Sequence, residues 1–351
     1  MYQEQQPIQS VLSDSEFIAR LPKAELHVHL EGSLPPATVL KLAENNGLRP
    51  PFETLDESAA YFQYRDFPHF LEIFMEVCGY LRTPQDYYLL VKDFLADARA
   101  QNIRYREAFF SPTMHLGKPG LSQGALLEAL AAGVKDGYAE HGVELHFIAD
   151  ISRQFVPEAD PVVDFAIAGR ADELFIGVGI GGAEAGFPPR LFESHMNRAR
   201  AAGLHSVAHA GEAAGPESVW EALRVTKSER LGHGVRSIED AALIEYLRET
   251  QTPLEVCPTS NLCTGVYENY AAHPLRRLCD AGLAVTIGSD DPPFFGSSLS
   301  DEYAHLLADF GFSRHEVCRL SGNAIEYSFL PADRKAVYAQ EFEREFRALG
   351  Q

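Results

Sequence analysis

Ala24-Glu25-Leu26-His27-Val28-His29-Leu30 is a short apolar run carrying two histidines two positions apart. Read as a β-strand, its period of two sends both imidazoles to one face, toward the strand's C-terminal end. Runs of the same kind recur at 103–110, 143–151, 174–180, 206–210, 230–234, 254–257 and 284–288. Several are almost continuously apolar, as parallel strands covered on both faces are.

The segments between them carry helix punctuation. Thr83-Pro84 precedes Tyr87, Leu90, Val91, Phe94 and Ala98, an apolar face at helical spacing behind an N1 proline. Leu126, Leu127, Leu130, Val134 and Tyr138 suggest a second such face, and Ser237 with Glu239 and Asp240 reads as a helix start. Gly47, Gly203 and Gly282 stand where helices would end. About eight strand–helix alternations over this length predict a TIM-type (β/α)8 barrel rather than an open, doubly wound sheet. The whole chain, 1–351, reads as one barrel domain with an N-terminal extension over 1–20. Residues 52–82, rich in aromatics, predict extra helices after the first strand. They would lie over the barrel mouth as a lid on the substrate.

Bulk properties narrow the function. Of the 351 residues, 46% are hydrophobic and 23% charged, the balance of an ordinary globular protein. A formal charge of −20 with no basic run argues against nucleic acid and favours a small-molecule substrate. No apolar stretch predicts a membrane span, and the polar, acidic start does not read as a secretory signal, so the cytoplasm is the expected location. The five cysteines are scattered without a C-x-x-C pair, which predicts reduced thiols rather than disulfides or a thiolate metal site.

Polar residues then gather at strand ends. His27 and His29 alone admit a reading as satisfied core histidines. His209-Ala210-Gly211-Glu212, Gly232-His233-Gly234 and Ser289-Asp290-Asp291-Pro292 end three further strands, however. In a barrel these ends share one mouth, and so many titratable groups would be costly to desolvate without a partner. Imidazoles with a carboxylate suit a catalytic zinc ion with an open position for water. The expected ligands are His27, His29, His209 and Asp290. His233 is left to orient the attacking water, and Glu212 to give and take protons.

These motifs, in this order, resemble the adenosine and adenine deaminase family, metal-dependent hydrolases of the amidohydrolase superfamily. The resemblance runs from about Leu21 to the C-terminal region. The H-x-E and P-C-x-x-C pattern of the other zinc deaminases is missing. The resemblance implies hydrolysis at C6 of a 6-aminopurine with loss of ammonia, Glu212 protonating N1 and His233 stabilising the hydroxide. It further implies Asp291 on N7, the Gly182 amide on N3, and Ser260 supporting the strand-end histidine. Read alone, Asp291 is better taken as an N-cap or a salt-bridge partner beside the metal ligand, and Gly182 reads as a turn glycine. Two-metal barrels of this superfamily use a lysine on a middle strand; 174–180 has none, which predicts one zinc per chain.

For the substrate the resemblance divides. Glu31 stands where many adenosine deaminases place an aspartate on the ribose 5′-hydroxyl, and is also typical of adenine deaminases. The glycine-rich 177–189 stretch resembles the nucleoside enzymes. The first expectation is adenosine or deoxyadenosine going to inosine or deoxyinosine. The alternatives are adenine, 6-aminodeoxyfutalosine (an adenosine with a larger 5′ group), and a catalytically inactive purine-binding barrel.

Overall fold

The computed structural model describes residues 12–171 and 173–351. Among the described residues eight strands are present: β1 Lys23–Glu25, β2 Ile103–Phe110, β3 Glu144–Ser152, β4 Phe175–Gly181, β5 His205–Ala210, β6 Arg230–His233, β7 Leu254–Val256 and β8 Val285–Ile287. Each pairs in parallel with the next, in sequence order. At the C-terminal end a bridge between Val28 and Asp290 joins first strand to last. His29 N–H donates to Asp290 O at 2.9 Å, and Asp290 N–H to His27 O at 3.2 Å. The chain is therefore a (β/α)8 barrel, as the alternation predicts.

Differences from the sequence reading have local causes. β1 is shorter than 24–30. Beyond Glu25 the chain leaves its ladder with β2, and only Val28 and His29 make further bridges, to Asp290 and Phe109. The helix Ala241–Thr250 is capped by Asp240, whose carboxylate accepts from the Ala242 and Leu243 amides, and Ser237 sits in a preceding 3-10 turn. In the helix Gln123–His141 the buried face runs through Leu126, Leu130, Gly133 and Gly137, leaving Tyr138 exposed. A Cβ at Gly137 would lie 2.3 Å from Leu95, so glycine lets this helix press against Pro84–Ala100.

The barrel interior holds charge as well as apolar side chains. Arg106 Nε meets Glu25 at 2.7 Å, and Arg230 lies 2.6 Å from both Glu107 and Glu255, all essentially inaccessible. Every one of these ions has an opposite partner, the condition under which burial of charge is tolerable.

Of the 1–20 extension, residues 1–11 lie outside the described residues; the rest forms the helix Asp14–Arg20, burying Phe17 and Ile18. Residues 52–82 hold two helices, Leu55–Tyr61 and Phe67–Cys78. Phe70 stacks on Phe295 at 5.7 Å and Phe62 meets Phe294 edge-on at 4.9 Å, so this segment packs over the chain that follows β8. Among the described residues no helix is long and apolar enough to cross a membrane.

Candidate active site

The C-terminal ends of β1, β5 and β8 bring His27, His29, His209 and Asp290 together, with one ligand atom of each lying within 4.8 Å of the others. The tautomers favour a cation. His27 Nδ1 donates to the Glu255 carboxylate at 2.8 Å, so the neutral ring presents the lone pair of a buried Nε2 that has no hydrogen-bond partner among the described residues, a position open to a cation in place of a proton. His209 Nδ1 donates to Ile180 O at 3.1 Å, again leaving Nε2 with its lone pair. Arg230 holds Glu255 from behind at 2.6 Å, so the carboxylate orienting His27 is itself fixed. Three imidazoles and one carboxylate, buried and oriented from outside, fit a single divalent ion of the zinc type.

Electrostatics agree. Burial opposes protonation of His27, but Asp290 and Glu255 outweigh it and push its pKa up to about 9. His209 goes the other way, held well below the usual imidazole range by burial and by His27 and His29. The carboxylates thus call for positive charge that the imidazoles cannot all carry. Asp290 and His233 have φ of 63° and 58°, left-handed values that cost a side-chain-bearing residue about 1–3 kcal/mol. Both sit where a strand ends and its side chain turns into the site.

Beside the cluster lie Glu212 and His233, with Glu212 Oε2 3.6 Å from His233 Nε2. Burial, with Asp290 and Glu184 nearby, raises the Glu212 pKa to about 8, so its carboxyl can carry a proton at neutral pH. Glu184 builds the turn that presents it. Its carboxylate accepts from the amides of Gly211 (2.7 Å), Glu212 (3.1 Å) and Ala214 (2.8 Å) and from Ser218 Oγ (2.6 Å). Buried Arg153 donates to the carbonyl of His209. Asp291 is pushed up by burial and by Asp290, and its Oδ1 has no hydrogen-bond partner among the described residues. A Cβ on Gly32 would fall 1.5 Å from that oxygen, so glycine at 32 gives Asp291 its room.

Glu212, His233, Gly182 and Asp291 line one cavity with His29, His209 and Asp290. Gly182 is left-handed (φ 78°), and a Cβ there would meet Gln154 Oε1 at 2.4 Å. Two sequence-predicted residues are placed elsewhere. Glu31 is fully buried behind the wall, accepting from Ser111 N–H and facing His115 Nε2, both at 2.8 Å. It does not line the cavity itself, but holds Ser111, which does, and its charge acts on Asp291 and Asp150. Ser260 supports Asp290, donating to Oδ2 at 2.6 Å, rather than a histidine or a substrate.

Sequence reasoning passed over Glu255, Glu184, Asn261 and Asp150. Asp150, Ser152 and Gln154 project from the end of β3 into the cavity, and burial raises Asp150 to about 6. A visible signal was a charged residue inside an otherwise apolar strand, as with Asp150 and Glu255. The apolar part of the wall comes from Phe70, Leu71, Phe74, Met114 and Phe295.

Comparison with known proteins gives a consistent picture. The family model described as adenosine deaminase matches residues 22–344. Aminodeoxyfutalosine deaminase of Streptomyces coelicolor is 39% identical over 329 residues, 93% of this chain and 85% of that one. Adenine deaminase of Bordetella avium is 39% identical over 311 residues, 88% of this chain and 98% of that one. A solved amidohydrolase from Burkhoderia ambifaria, with bound zinc, is 28% identical with a TM-score of 0.87, covering 98% of this chain and 97% of that one.

Proposed function

The chain belongs to the adenosine deaminase family, and we propose that within it the substrate is 6-aminodeoxyfutalosine, deaminated at C6. Hydrolytic removal of an amino group from an aminopurine is the activity of the family. The group beyond the purine is what needs argument, and the β3-end wall carries it. Glu212, Asp291 and the Gly182 amide suffice for N1, N7 and N3. Asp150, Ser152 and Gln154 remain in the same cavity, and Asp150 Oδ1 is buried without a hydrogen-bond partner among the described residues. Such acceptors suit sugar hydroxyls. The relatives reported carry the name aminodeoxyfutalosine deaminase or adenine deaminase, which moves the substrate away from adenosine, the first expectation.

Each side chain has a task. His27, His29, His209 and Asp290 would hold one zinc ion, whose Lewis acidity lowers the pKa of water toward neutrality. Glu212 gives its proton to N1 and so removes the ring's resistance to attack. His233 orients the attacking water. Asp291, whose Oδ1 is buried in the cavity without a hydrogen-bond partner among the described residues, bonds N7. The C6–O bond forms, the C6–N bond breaks, and the amine leaves as ammonia. The helices of 52–82 cover the bound purine with Phe70, Leu71 and Phe74 and keep bulk water out.

Adenine is the second reading, favoured by equal identity to the adenine deaminase and by Asp150, which can also accept from a free N9–H. The deciding experiment compares kcat/KM of the zinc-loaded protein for 6-aminodeoxyfutalosine, adenine, adenosine and deoxyadenosine. The expected leader is 6-aminodeoxyfutalosine by about tenfold or more, roughly 1.4 kcal/mol of differential transition-state binding. Adenine in first place transfers the assignment to the second reading, and no turnover of any of the four removes both.

A further inference from the structure

A chain of hydrogen bonds behind the site has no part in the reaction as described. The backbone N–H of Leu275 lies 3.2 Å from His273 Nδ1. His273 Nε2 lies 3.1 Å from Asn261 Oδ1, and Asn261 Nδ2 lies 3.1 Å from His233 Nδ1. All three side chains are buried, so water does not compete for these groups.

The direction of every link follows from the first. A backbone N–H only donates, so His273 Nδ1 must accept. Burial lowers the His273 pKa to about 3, so the ring is neutral and its one proton sits on Nε2. That N–H needs an acceptor, and on Asn261 only the carbonyl oxygen is one. The amide nitrogen is therefore the atom turned to His233, and it requires an unprotonated Nδ1. The proton of neutral His233 is left on Nε2, which faces Glu212 Oε2 at 3.6 Å and Asp290 Oδ2 at 3.8 Å. Amide and ring orientations that are usually a matter of choice are here dictated by one backbone donor.

We propose that Asn261 and His273 are positioning residues that lock His233 as its Nε2–H tautomer, so that His233 donates a hydrogen bond to the attacking water and does not take its proton. Proton acceptance then falls to Glu212. Having given its own proton to N1, Glu212 recovers one from the water as the C6–O bond forms. The hydroxyl proton left on the tetrahedral carbon passes to the departing amine, and ammonia leaves. No proton has to enter or leave through His233.

The kinetic consequence rests on the deaminase reading above; the tautomer does not, and is measured without substrate. The test is long-range proton–nitrogen NMR of the zinc-loaded full chain with 15N-labelled histidine, His233 being assigned by its loss in His233→Gln. The expected spectrum shows Nδ1 unprotonated and Nε2 protonated. In His273→Glu the new carboxylate only accepts, the Asn261 amide turns over, and His233 moves to the Nδ1–H form. Its kcat should fall about 100-fold with KM little changed, the scale of a lost acid–base or hydrogen-bonding contribution. His273→Gln, whose amide can still donate, should keep the wild-type tautomer and most of the activity. An Nδ1–H tautomer in the wild type overturns the proposal. So does equal impairment of His273→Gln and His273→Glu with an unmoved tautomer. If His273→Glu does not fold, the wild-type spectrum and His273→Gln still decide.

Discussion

Glu184→Gln isolates the turn that carries Glu212. The carboxylate of Glu184 receives four hydrogen bonds, two per oxygen: Gly211 N–H and Ser218 Oγ on one, the Glu212 and Ala214 amides on the other. A glutamine offers one carbonyl oxygen and sets an NH2 against the remaining pair, so two bonds are lost and one face becomes repulsive. Hydrogen bonds to a charged acceptor contribute about 1.5–3 kcal/mol each, which for two sums to roughly 3–6 kcal/mol. Removing a buried charge returns part of this as relieved desolvation, leaving about 2–3 kcal/mol. If half is felt only in the transition state, where Glu212 must meet N1, kcat falls about 5–15-fold, and if all is, about 30–150-fold. Ammonia release at saturating substrate measures kcat, and a urea titration measures the remainder as a lower midpoint. Ser218→Ala calibrates the scale: it removes one bond of the four and should cost about 1.5 kcal/mol, the lower end of that range. A Glu184→Gln protein with kcat within about twofold of wild type and an unshifted midpoint refutes the reasoning. Ser218→Ala as damaging as Glu184→Gln would refute it equally.

Three further expectations follow from particular contacts. Gly32→Ala places a Cβ 1.5 Å from Asp291 Oδ1; Asp291 must swing away, costing about 1–3 kcal/mol of stability and most of the deaminase activity, and a normally active variant would show that Asp291 does not read the substrate. Glu144 is lowered to about 2: burial raises it, but His146, Tyr338 and Arg334 outweigh that. Because its folded pKa is depressed, its contribution is whole above about pH 5 and is lost as pH falls toward 2, on the order of 2–3 kcal/mol. Glu144→Gln should therefore lower the urea midpoint at pH 7 and flatten its acid dependence between pH 5 and 3; an unchanged acid slope counts against this. Chelation should abolish deamination and lower the thermal midpoint, with one equivalent of zinc restoring both, and a requirement for two equivalents would defeat the single-ion site.

The parts of this site legible in sequence share one property: they sit at strand ends, and a barrel brings all its strand ends to one mouth. His27, His209, His233 and Asp290 could be joined without knowing which strand lies beside which, because closure brings them together whatever the register. β2 could be bounded because its run from Ile103 stops at Ser111-Pro112. The supporting residues obey a different geometry. Glu255 matters because it lies between His27 and Arg230, and Arg230 because it also reaches Glu107. The contacts His27–Glu255 and Arg230–Glu107 link strands distant in sequence, while Arg230–Glu255 joins the neighbours β6 and β7. Strand periodicity tells which face such a residue takes, not which side chain waits on that face. Glu31 and Ser260 show the same limit from the other side. Each stands beside a site residue in sequence, and the turn each occupies sends one to Ser111 and His115 and the other to Asp290. Asn261 and His273 were hidden for a third reason. They act through the direction in which hydrogen bonds run, and that direction starts from the Leu275 backbone N–H, a group that every residue except proline possesses and that no sequence pattern marks.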